Sequence, residues 1–335
     1  MIPLTLAAAS LSAAALLVAA YGLWLLTAPR GRREITNGAR PPVLVVVPVY
    51  DEAQLIARKL ENLAALTYPR RRIVLVDGGS SDGTIAAIER SGFALLRTSL
   101  RDKTAQLNEA LRVFADEDWI LVTDADALLG ADTIERLMSA TDATIGVVGA
   151  SVRPAAAHEL ESLHWRATDW LRAREFDRGS AGIVAAPCYL ARREHLCDLP
   201  PDVIADDIHV ASRAMRAGQR VAHSDASVVE LRSPQNVRDL LRHKSRKADA
   251  YLREIFRFLP YRMPAVFFWR ATLLTVVPLL AMLACVLAAP LALLALALKP
   301  TRLAVVLTAV SAAALLRYPF SRQAACFPKI QYEEQ

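Results

Sequence analysis

Ile2 to Ala28 carry no charged side chain, and that run limits the chain to two kinds of structure. A run this long and apolar either spans a bilayer, which takes about 20 helical residues, or is removed as an export signal. Export signals carry positive charge ahead of the apolar run. Here no Lys or Arg precedes it, and Arg30, Arg32 and Arg33 follow at once. The flanks predict a retained anchor over 1–28, with its N-terminus outside and the following domain in the cytoplasm. A second apolar stretch runs from Ala271 to Leu298 and a third from Leu303 to Leu316, interrupted at Lys299-Pro300-Thr301-Arg302. This predicts a transmembrane hairpin over 263–317 and, from Arg317, Arg322 and Lys329, a cytoplasmic tail over 318–335. The short second arm leaves a re-entrant segment open.

Between these stretches lies an ordinary charged region of roughly 230 residues, enough for one core. Most of the apolar excess, 54% of the chain, sits outside it. The four cysteines, Cys188, Cys197, Cys285 and Cys326, show neither C-x-x-C spacing nor a disulfide framework, so they read as reduced structural thiols. The net charge of +6 gathers beside the apolar segments, which suits an anionic lipid surface better than nucleic acid.

Val43 to Val49 is a continuous β-branched run, the pattern of a buried parallel strand. A helix is expected over Leu55 to Leu66, a strand over Arg72 to Val76, and a helix from about Ile85 after an Asp- and Gly-rich turn. A further helix follows over Lys103 to Phe114 and a strand over Trp119 to Val122. Such alternation predicts an α/β domain with a mostly parallel sheet, in which ligands bind beyond the carboxyl ends of the strands. Three acidic groups fall at such ends: Asp51 with Glu52, Asp77, and Asp124 with Asp126. No glycine-rich phosphate cradle follows any strand. Two carboxylates at the end of a buried strand call for a cation between them. A hard divalent cation that also grips substrate phosphates meets that need.

Taken in order, these residues resemble the family 2 glycosyltransferases, inverting enzymes of the GT-A fold, from about Val43 to Arg246. The resemblance assigns Val49, Asp51, Glu52, Asp77, Lys103 and Asp124 to the donor nucleotide. It gives Asp124 and Asp126 to a metal, Mg²⁺ or Mn²⁺, and Asp206 and Asp207 to catalysis, with Asp207 as general base. Lys103 to Leu111 is similar to the family's G-K-x-x-A-L-N segment, with Asp102 in place of the glycine. Processive members carry Q-x-x-R-W. Here His243-Lys244-Ser245-Arg246-Lys247 keeps the arginine alone, which points to a single transfer and leaves His243 and Arg246 on the diphosphate or acceptor side.

The resemblance thus implies a GT-A catalytic domain over 29–238, flanked by transmembrane helices. The sequence is similar to ceramide-glucosyltransferase-like and other lipid-acceptor members. Leu240 to Leu259 interleaves apolar and basic residues, so an amphipathic helix on the membrane surface is expected over 239–262. The expected function is transfer of one sugar from a nucleotide-sugar, a UDP-sugar by preference, to a lipid or lipid-linked acceptor. The expected location is the bacterial inner membrane, with the catalytic domain cytoplasmic. A processive polysaccharide synthase, a metal-dependent nucleotidyltransferase and a non-catalytic scaffold are the competing readings. Asp82 is expected to shape a turn, Asn108 to tie a loop or touch a ligand, Trp165 and Trp170 to pack, and His209 to lie on the surface.

Overall fold

The computed structural model describes residues 2–29, 40–287 and 299–318. Arg30, Arg32, Arg33, Arg322, Lys329, Cys326 and nearly all of the expected tail lie outside the described residues.

The core is an eight-stranded sheet ordered β3-β2-β1-β4-β7-β6-β8-β5. β1 (Val43–Val49) lies between β2 (Arg71–Asp77) and β4 (Trp119–Thr123) and is parallel to both; β2 pairs β3 (Ala94–Arg97), also in parallel. β7 (Cys188–Arg192) runs against β4 and β6 (Ile145–Pro154). β8 (Arg220–Glu230) is parallel to β6, and the short β5 (Ala127–Leu129) closes that edge antiparallel to β8.

Strand periodicity divides β1 between two cores. Val43, Val45 and Val47 pack with α2 (Ile56–Ala64), α3 (Thr84–Ser91), α5 (Thr133–Ser139) and Trp165 of α6 (Glu159–Asp177). Leu44 and Val46 pack with α4 (Lys103–Val113), α7 (Arg193–Leu196) and α8 (Asp206–Arg216). Covering both faces is what lets every residue of β1 except Pro48 be buried.

The expected helix over 239–262 is α9 (Val237–Phe258), so the 238/239 boundary falls inside it. It packs one face against the domain, with Ile255 among its buried residues. Leu240, Ala250, Leu252 and Phe258 are inward, while Leu241 is exposed. α10 (Ala265–Leu274) and α11 (Val276–Leu287) follow, separated at Thr275. Pro278 accounts for that break, because its ring meets the carbonyl four residues earlier.

α12 (Lys299–Arg317) begins at the Lys299-Pro300-Thr301-Arg302 segment, where an interruption was expected. A proline in a first turn costs nothing, since the amides there have no intrahelical partner. Two helical segments, Thr5–Leu26 of α1 (Ile2–Leu26) and Ala265–Leu287, are long and apolar enough to cross a membrane by length and composition, and little of their surface is buried.

The apolar helices are joined to the α/β domain through Glu175 on α6. Its buried carboxylate accepts from Arg270 of α10 at 2.6 and 3.0 Å, from the Gly182 amide at 3.0 Å, and from the Tyr21 hydroxyl of α1. Arg174 adds a bond to the Leu25 carbonyl at 2.9 Å.

Candidate active site

The carboxyl ends of β1 and β4, the first turns of α4 and α8, and one face of α9 enclose a cavity of about 510 Å³. Val49, Glu52, Lys103, Asp124, Asp126, Asp206, Asp207, His243 and Arg246 all line it. Residues 49 to 246 therefore meet in one place. Asp51 and Asp77 are not in the lining. The Asp77 carboxylate is wholly buried and accepts from the Gly79 and Ser80 amides at 2.8 and 2.9 Å and from the Ser80 hydroxyl. Asp51 sits at φ 49° and accepts from the Ser81 amide at 2.8 Å. Both acids hold the loop that borders the cavity. Asp82 does the same, accepting from Thr84 and from the Ala53 amide.

Asp124 and Asp126 occupy the tight turn from β4 to β5, closed by the Ala127 amide on the Asp124 carbonyl at 3.2 Å. Burial, then Asp124, Glu230 and Glu52, pushes the Asp126 carboxyl up to about 7. Arg232 opposes this only in part, since it pairs with Glu52. This corner has more negative charge than its own cations offset. Among the described residues, no group of three or more His, Cys, Asp or Glu side chains forms a closed cage. Two carboxylates on an open wall suit a hard cation that completes its shell with phosphate oxygens.

Two lysines flank this turn. Lys59 of α2 is fully buried behind it and donates to Thr123 Oγ1 at 3.1 Å and to the Ala127 carbonyl at 2.5 Å, so it ties both ends. Burial pulls its pKa down to about 8. Lys103 faces the cavity, with Nζ 2.8 Å from Asp124 and 3.2 Å from Asp206. Asp102 caps α4 by accepting from the Ala105 amide, which places Lys103 at the helix's first position.

Asp206 and Asp207 open α8, where acids are favoured by the helix dipole. Both are buried. Asp206 accepts from the Tyr189 hydroxyl at 2.5 Å, and Asp207 from the Tyr251 hydroxyl of α9 at 3.1 Å. Burial, then Asp206, raises the Asp207 carboxyl to about 6, against Lys247 and Lys103. His243 is held neutral by burial and by Lys247 and Lys244, so it can share hydrogen bonds here but adds no charge. Arg246 and Lys247 are the cations that α9 brings to the wall.

His209 is a correction: it is buried, with Nδ1 2.7 Å from Glu254 of α9, not at the surface. The short helix α8 packs under α9 and leaves no exposed face there. Asn108 ties a loop, exchanging bonds with Leu199 at 2.8 and 2.9 Å. Trp165 is buried beside Lys247 and Arg172, while Trp170 is exposed. Tyr251 and Lys59 had no signal at motif spacing, and Lys247 closes the His243-Lys244-Ser245-Arg246-Lys247 segment without having been read as a site residue. Glu230 and Arg232 did have a signal, as charges at the end of a strand.

Residues 44–199 match the Glycosyl transferase family 2 model. Residues 44–199, just under half of the chain, are thus similar to a family 2 glycosyltransferase domain. The chain is 21% identical, over 235 residues, to the poly-beta-1,6-N-acetyl-D-glucosamine synthase of Staphylococcus aureus, covering 64% of this chain and 56% of the relative. A Sinorhizobium fredii N-acetylglucosaminyltransferase is 25% identical over 255 residues, covering 67% and 61%. The chain thus spans somewhat more than half the length of these curated relatives. The mannosyltransferase PcManGT from Pyrobaculum calidifontis, solved in complex with GDP-Man and Mn2+, superposes with a TM-score of 0.79 at 26% identity, covering 95% of this chain and 98% of that one. The glycosyltransferase domain therefore has an α/β, GT-A-like, mostly parallel fold. The family match ends before Asp206, so Asp206, Asp207 and the α9 wall of the cavity lie beyond it.

Proposed function

We propose that the chain transfers a single sugar, with inversion, from a nucleotide-sugar to a hydroxyl of a lipid or lipid-linked acceptor at the cytoplasmic membrane face. One observation carries this: a buried carboxylate raised to about 6, Asp207, shares a cavity with the D-x-D turn under a wall that leads into apolar helices. Asp207 would take the proton of the attacking hydroxyl, for which a pKa close to working pH is suited. Tyr251 orients it. Arg246 and Lys247 would face the negative charge of the leaving diphosphate.

Asp124 and Asp126 would hold Mg²⁺ or Mn²⁺, which when bound supplies further positive charge to that diphosphate. Val49 and Glu52 would line the nucleotide side, with Asp51 and Asp77 supporting its loop. The two long apolar helices support an integral membrane protein with this domain on the cytoplasmic side. A UDP-sugar is the expected donor. PcManGT, solved with GDP-Man, adds GDP-sugars to those worth trying.

The test is a screen of UDP- and GDP-sugars on detergent-solubilised protein with lipid extract and Mg²⁺ or Mn²⁺, using Asp126→Ala and Asp207→Asn as controls. A singly glycosylated lipid made only by the wild type supports the proposal. Polymer would move the chain to processive synthesis, and folded protein inert with every donor would make it a scaffold.

A further inference from the structure

Lys103 and Lys59 approach the same D-x-D turn but are built differently. Lys59 has no exposed surface and is bonded to oxygens at both ends of the turn, so it is a permanent part of it. Lys103 has a side chain 27% exposed and stands on the cavity wall, donating charge-assisted hydrogen bonds to two carboxylates that themselves face the cavity. One of those partners is Asp124, a carboxylate assigned above to the metal. The other is Asp206, beside the base. Asp206 has a second partner in Tyr189 and can lose part of its ion pair without being left bare. Among the described residues, Lys103 is the ion-pair partner of Asp124. A single ammonium thus spans the two acidic poles of the cavity.

We propose that Lys103 keeps the place of the divalent cation in the unloaded enzyme and swings from Asp124 to the donor's diphosphate when the site fills. This rests on the glycosyltransferase reading and on the assignment of Asp124 to the metal. The physical basis is competition. An ammonium 2.8 Å from a carboxylate oxygen both occupies that oxygen and repels an incoming cation. It therefore lowers affinity for metal alone. Once the diphosphate is present, the same ammonium has a new anionic partner, and its former neighbour is free. Lys103 would make metal and nucleotide bind as a pair, a positive coupling between two ligands. A lysine that only braced two walls would lack that effect.

The measurement is Mn²⁺ affinity of the full-length, detergent-solubilised protein, by electron paramagnetic resonance and calorimetry, alone and with UDP or GDP. Lys103→Met is expected to tighten Mn²⁺ alone by about tenfold and to weaken Mn²⁺ in the presence of nucleotide by a similar factor, reversing the coupling. Lys103→Arg, which keeps the charge, is expected to stay near wild type in both. Lys103→Gln should shift in the same sense as Lys103→Met and serves if that variant folds poorly. Unchanged or weaker binding of Mn²⁺ alone in both neutral variants would overturn the proposal, even with the wild type binding normally. A wild type that takes up no Mn²⁺ with either nucleotide would instead remove the metal assignment on which it stands.

Discussion

Asp207 is a carboxylate whose surroundings set when it can act as a base. Its folded-state pKa is raised, so the proton stays on until about pH 6 and the competent carboxylate exists only above it. Accordingly kcat/KM should fall about tenfold per unit as pH drops below 6. Tyr251→Phe removes a donor to the charged form and should move this limb upward. Asp206→Asn removes a like charge and should move it downward if Asp207 is the base. A limb that vanishes in Asp206→Asn would make Asp206 the base. Asp207→Asn should reduce turnover by at least about 100-fold with the thermal midpoint little changed. Asp77 has the opposite character: its oxygens are engaged by the turn, so Asp77→Ala should cost about 1–3 kcal/mol of stability in a denaturation curve.

At the scale of elements, the three parallel strands that border one another, β1, β2 and β4, were legible, while most of the remaining sheet was not. β1 was expected and found over Val43–Val49, and the other helices and strands expected through β4 fell within a residue or two, because each is a strongly patterned run bounded by turn residues; the short, half-exposed β3 was not expected. The acidic corner of the cavity was legible through acids at strand ends. What the linear pattern did not contain was partnership across it. Lys59 under the D-x-D, Tyr189 on Asp206 and Tyr251 on Asp207 are 64, 17 and 44 residues from the groups they serve. That α9 also lines the cavity was not legible for a related reason: basic and apolar residues are interleaved along it, and the cavity, with its own acids, accepts some of the basic ones. The joint at Glu175 is another long-range partnership. Arg270→Met would leave that carboxylate short of charge in a buried setting and should destabilise the protein by about 3–5 kcal/mol, measured as a lowered thermal midpoint in detergent.

For the whole molecule, the two long apolar helices carry the proposed location. The protein should sediment with membranes and remain there after high salt and alkaline carbonate, being released only by detergent; release by salt alone would reduce the attachment to a surface one. α9 ties that location to the chemistry. Its Tyr251 hydroxyl donates to Asp207, the proposed base, and Arg317 at the end of α12 bonds Ser245 and Asp249 on the same helix. With α12 seated in a bilayer, the height of the reacting oxygen above the lipid is a fixed length written into a rigid rod. Acceptors would then be sorted by how far their hydroxyl stands off the membrane, before any contact reads what kind of molecule carries it.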